Sequence, residues 1–101
     1  MGWASAYIQK LRAGETVKFR PKGSSMSGRI ESGQLVTVVP VKDVSEVTVG
    51  SIVLCKVHGR EFLHLVKAVR HGQWQIGNNK GHVNGWVTSN GIYGRCTSVE
   101  P

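Results

Sequence analysis

The chain has 101 residues, 40% hydrophobic and 19% charged, which suits one compact globular domain and excludes a disordered segment. Thirteen basic residues against six acidic ones give a formal charge of +7, which favours an acidic or polyanionic partner, although a solvated basic face accounts for it equally. No apolar run approaches the roughly 20 residues of a membrane span, residues 1–12 lack the apolar segment of a signal peptide, and two distant cysteines make no disulfide framework.

Trp3, Tyr7, Ile8 and Leu11 fall at helical spacing, which predicts a short amphipathic helix over 3–12 with Gly14 as its stop. Val17 to Arg20 then alternates as a strand, and Pro21-Lys22-Gly23 breaks it. Residues 24–32 are polar, with Met26 and Ile30 as anchors and glycines at 23, 28 and 33. Leu35 to Val39 is a β-branched run ending at Pro40, and 41–49 is a linking loop. Ile52 to Val57 and Arg60 to Val69 are two strands around His58-Gly59, a two-residue hairpin turn. Gln73 to Gly77, Trp86 to Thr88 and Ile92 to Cys96 complete the strands, and the residues after Cys96 are expected to fray.

Many short strands joined by Gly and Asn turns predict a mainly β domain, a small, partly open β-barrel or sandwich with a short N-terminal helix. Residues 1–101 form one domain in this reading, with 1–14 as helix and connector and 17–96 as the β core. Cys55, in an apolar run, is expected to be a buried small hydrophobe. The four histidines show no zinc spacing, so no metal or other cofactor is expected. Trp74, Trp86 and Tyr93 suit core packing, or the stacking of bases beside Lys10, Arg12, Lys18, Arg20, Lys22 and Arg29.

Three pieces carry chemistry in order: the turn Gly23-Ser24-Ser25-Met26, the hairpin from Gly50 to His64, and Gly77-Asn78-Asn79. Over residues 19–96 this order resembles the signal peptidase I and LexA-like serine peptidases. In that family a Gly-x-Ser-Met turn presents the nucleophile, and the returning strand of a hairpin delivers the base five residues after its turn. The resemblance implies Ser25 as nucleophile and His64 as general base, with the Ser25 backbone N–H as oxyanion donor and Ser24 and Met26 supporting the site. It also implies small residues beside the scissile bond. Ala13-Gly14 is a dipeptide of the kind LexA-like proteins cleave in themselves, and it equally suits an ordinary helix C-cap.

A serine hydroxyl needs a neighbouring base to become a nucleophile. A histidine titrates near 6.5 and needs little tuning, whereas a lysine must first be buried. Phe62, His64 and Val66 share one face of their strand, and Lys67, the alternative base, lies on the other unless a bulge intervenes. The family's Gly-Asp-Asn reads Gly77-Asn78-Asn79 here, so Asn78, Asn79 or Asn84 would orient the histidine in place of a carboxylate.

The function expected is a serine endopeptidase with a Ser25–His64 dyad, cleaving (or self-cleaving) a peptide presented as an extended strand. The alternatives are a catalytically degenerate module that binds a protein partner or dimerises, and a basic nucleic-acid-binding barrel. The location expected is cytoplasmic, in a bacterial or phage-encoded stand-alone protein.

Overall fold

The computed structural model describes residues 2–101, and Met1, the first residue of the expected domain, lies outside them. Helix α1, Ser5–Arg12, buries Ile8 and Leu11 and turns Gln9, Lys10 and Arg12 to solvent, and Ala4 just before it is buried too. Its N-cap, Ala4, has no side chain to cap the first turn. Glu61 does so from across the chain: Oε1 accepts the Ala4 N–H at 2.6 Å and Oε2 accepts the Ser5 hydroxyl at 2.8 Å. A carboxylate at the positive end of a helix satisfies orphan donors and the dipole together. A side chain at Gly2 would overlap that carboxylate. Lys10 and Arg12 occupy the last turn, where the dipole favours cations, and Gly14 (φ +88°) follows the C-cap Ala13.

Seven strands follow: β1 Val17–Phe19, β2 Leu35–Pro40, β3 Ile52–Val57, β4 Arg60–Arg70, β5 Gln73–Gly77, β6 Val83–Val87 and β7 Ile92–Glu100. They form one antiparallel sheet in the order β1-β2-β7-β3-β4-β5-β6. The expected barrel is corrected here. The edge strands β1 and β6 have no ladder between them among the described residues, so the sheet is open. Four bulges, in the β2–β7, β3–β7, β4–β5 and β5–β6 ladders, bend it without closing it.

The β3–β4 hairpin sets the register of everything near the site. His58 (φ 51°) and Gly59 (φ 80°) are both left-handed, as a two-residue hairpin turn requires. Val53 is thereby placed opposite His64. Ile52, Leu54, Leu63 and Leu65 point to one face, into a core completed by Ile8, Leu11, Val36 and Val38. Val53, Cys55 and Val66 point to the other, against Trp74, Ile76 and Val87. Burial on both faces pushes the Cys55 thiol up to about 12 and leaves it inert.

Two strands differ from the sequence expectation by more than one residue. β7 continues past Cys96 to Glu100, because Val36 pairs with Val99 and Leu35 with Glu100. β6 begins at Val83 rather than Trp86, and Thr88 lies outside it. Trp74 is a core residue, its indole N–H donated to the Val47 carbonyl at 2.9 Å, so it cannot stack on a base. No helix among the described residues is long and apolar enough to cross a membrane.

Candidate active site

Ser25 stands in the loop between β1 and β2. Met26 and Ile30 anchor that loop in the core, and the Ile30 N–H donates to the Met26 carbonyl at 2.8 Å. Gly23 (φ +107°) makes the entry turn, in a conformation that side-chain-bearing residues rarely adopt. Ser27 donates both its N–H (3.1 Å) and its hydroxyl (2.9 Å) to the Ser24 carbonyl. Burying Met26 on this tight turn leaves Ser25 exposed beside it.

His64 comes from the middle of β4 and is only 7% exposed. Its Nε2 lies 3.3 Å from Ser25 Oγ, and its Nδ1 lies 2.7 Å from Asn84 Oδ1. An amide oxygen only accepts, so Nδ1 carries the ring proton and Nε2 presents a lone pair to the serine hydroxyl. This is the tautomer a general base needs. Burial holds the His64 pKa below the usual histidine value; the Asn84 hydrogen bond opposes this and nearby His82 adds to it. The ring is therefore neutral near pH 7.

Asn84 is one of three asparagines that the sequence offers for this role, and a bulge singles it out. Ile76 pairs with Gly85 and Gly77 with Val83, so Asn84 is the extra residue in β6. Bulges of this kind re-aim a side chain. Asn79 instead ties the serine loop to the β5–β6 turn. Its N–H donates to the Ser25 carbonyl at 3.1 Å and its Nδ2 to the Ser27 carbonyl at 2.7 Å. Asn78 shapes that turn, its Oδ1 accepting from the backbone N–H groups of Lys80 (2.8 Å) and His82 (2.9 Å). Neither Asn78 nor Asn79 is bonded to the histidine.

Ser24 receives Lys80 Nζ on its hydroxyl at 3.4 Å, and Met26 is a buried anchor. Among the described residues the Ser25 N–H meets no internal acceptor, which leaves it free for an oxyanion. Lys67 is the extra residue of a second bulge, where Val66 pairs with Ile76 and Ala68 with Gln75. Its stem lies over Gly77, where an added Cβ would sit 3.0 Å from Lys67 Cε. Lys67 does not line the cavity of about 760 Å³ onto which Ser25 and His64 open. The described residues contain no cluster of three or more potential metal ligands.

No family model, curated protein or solved structure matches this chain. The β-barrel and serine-protease labels that accompany the resemblance are corrected accordingly: the sheet is open, and no relative supports the identity. What the chain does rests on the geometry of its own residues.

Proposed function

We propose that the chain is an endopeptidase-like hydrolase in which Ser25 attacks the carbonyl of a peptide bond and His64 moves the proton. The observation that carries this reading is the chain of contacts from Ser25 Oγ through His64 Nε2 and Nδ1 to Asn84 Oδ1, with the bare nitrogen facing the nucleophile. As the Oγ–C bond forms, the hydroxyl proton passes to Nε2. As the C–N bond breaks, Nε2 delivers that proton to the leaving amine. Water, deprotonated by the same nitrogen, then attacks the acyl carbon, and as the C–Oγ bond breaks Nε2 returns the proton to Ser25 Oγ. The oxyanion takes the free Ser25 N–H. The open edge of β1, which leads directly into the serine loop, accepts the substrate as an added strand. The order of turn, hairpin and histidine supports treating the fold as a variant of the LexA and signal peptidase type.

One observation favours a second reading. Asn84 stands where a carboxylate would stabilise the imidazolium, and an amide does so poorly. A site that binds peptide and turns it over slowly, or not at all, fits the same geometry.

An acylating serine probe separates the two from about pH 5 to 9. The hydrolase reading expects labelling at Ser25 alone, lost in Ser25→Ala and His64→Ala, and half-maximal below the ordinary histidine pKa of about 6.5. Labelling no faster than that of an exposed serine such as Ser24 sinks it and leaves the binding module.

A further inference from the structure

The cavity beside Ser25 is walled by aromatic rings. Trp3, Tyr7, Phe19 and Phe62 all line it, four of the seven aromatic residues in the protein. Tyr7 stacks on Phe19 at 4.3 Å between ring centroids and Trp3 tilts against Phe19 at 5.8 Å. Phe62 stacks on the His64 imidazole at 4.9 Å. One ring of the aromatic wall thus packs on the base itself.

Trp3 is the informative member. It is 53% exposed, yet its indole N–H is fixed to the Glu61 carbonyl at 3.2 Å. A large apolar ring held still in water is a surface prepared for something apolar.

The rim has the opposite character. Arg20, Lys22 and Arg60 line the cavity, and none has a carboxylate partner among the described residues, whose one ion pair is Arg95–Glu46 at 4.0 Å. The two carboxylates at the cavity are committed elsewhere: Glu61 to the start of α1, and Glu31 to the Gly28 N–H at 2.7 Å.

We infer that the substrate is a peptide with a bulky apolar or aromatic side chain next to the bond presented to Ser25, flanked by acidic residues that meet the Arg20, Lys22 and Arg60 rim. This departs from the small residues that the family resemblance implies. The aromatic slot supplies most of the affinity, because burying a large side chain removes more apolar surface from water than any rim contact gains. The rim orients the peptide and speeds its arrival. This specificity rests on the hydrolase reading of the same site, and its test must not depend on turnover.

The test is binding of labelled peptides to the Ser25→Ala protein, read by fluorescence anisotropy. Four peptides suffice, with Phe or Ala at the central position and Glu or Lys at the flanks. The Phe peptide with Glu flanks should bind about 10- to 100-fold tighter than its Ala counterpart. It should bind about threefold to tenfold tighter than its Lys-flanked counterpart, a difference that shrinks as salt is added. Trp3→Ala should erase most of the first preference, and exposed Lys22→Glu should reduce the second. Both variants should keep the cooperative urea unfolding of the parent protein, which guards against misfolding. Equal binding of the Phe and Ala peptides overturns the specificity even if Ser25 labels normally. Failure of Ser25 to label, with the binding preference intact, overturns the hydrolase reading instead and leaves an acidic-peptide binding module.

Discussion

The two halves of the site are held in different ways. His64 lies in the centre of a continuous sheet, paired with Val53 on β3, within a strand whose next residues pair with β5, and almost wholly buried. Ser25 stands exposed on a loop that belongs to no ladder, fixed by two buried anchors and by Asn79. Moving the base means breaking strand pairing, whereas moving the nucleophile means stretching a few hydrogen bonds. The Oγ–Nε2 separation of 3.3 Å is slightly longer than a working catalytic hydrogen bond, and the slack belongs to the loop. Substrate pairing beside the loop would take it up.

If the sheet half is the rigid partner, altering what orients its histidine should have the largest effect. Asn84→Ala removes the acceptor on Nδ1 and frees both the tautomer and the ring. Probe labelling of Ser25 should fall by about 10- to 100-fold. Asn84→Asp should do the reverse: a carboxylate stabilises the imidazolium, raising the labelling rate by about tenfold and moving its pH midpoint upward. Rate-versus-pH profiles of the three proteins check this. A purely structural Asn84 would alter thermal stability and leave the midpoint in place.

The buried histidine should also show in stability. Its folded pKa is lowered, so the unfolded chain takes up a proton that the folded one resists. Stability from this group is complete above the unfolded value of about 6.5 and is lost as pH falls through it towards the folded value. Urea midpoints between about pH 4.5 and 8 should therefore decline on acidification in the wild type, and His64→Gln should remove that part of the slope. A wild type and variant with parallel profiles would show that His64 is not shielded from water as its burial implies.

The loop half should respond more gently. Asn79→Ala keeps the backbone bond to the Ser25 carbonyl and loses only the side-chain bond to Ser27. Stability should drop by about 0.5–1.5 kcal/mol, and labelling by about threefold to tenfold. The pH midpoint should not move, because the histidine is untouched. A shifted midpoint would mean that loop and sheet are coupled more tightly than their separate anchoring allows.

Legibility in the sequence follows the same division. The hairpin turn at His58-Gly59 and the alternation after it can be read directly, and they fix which face His64 occupies. The turn at Gly23 marks the serine loop. Bulges are only partly legible: Gly85 (φ +145°) is the residue type that marks one, but it does not say which neighbour the pairing will skip, and the choice of Asn84 over Asn78 and Asn79 depends on that skip. The length of β7 is also hidden. Its last four residues, Thr97 to Glu100, are polar but for Val99, and they are ordered by pairing with β2, far back in the chain, rather than by any local pattern. Barrel closure is a global property: short, turn-rich strands serve an open and a closed sheet equally well.

The smallest effect is expected at Lys67, which bears on the same contrast because Lys67 and Asn84 are both bulge residues near β5. The β6 bulge turns Asn84 onto the histidine, whereas the β4 bulge lays the Lys67 stem over Gly77, outside the cavity that holds Ser25. Lys67→Met preserves that stem and removes the charge, so stability should change by no more than about 0.5 kcal/mol. Labelling of Ser25 should stay within about twofold of wild type across the pH range, as expected for a group that exchanges no proton with the nucleophile. A large loss in Lys67→Met, with His64→Ala still labelled, would reverse the assignment. The ammonium would then be the base, reached by rotation of a long side chain, and His64 a packed strand residue that holds Asn84 in place.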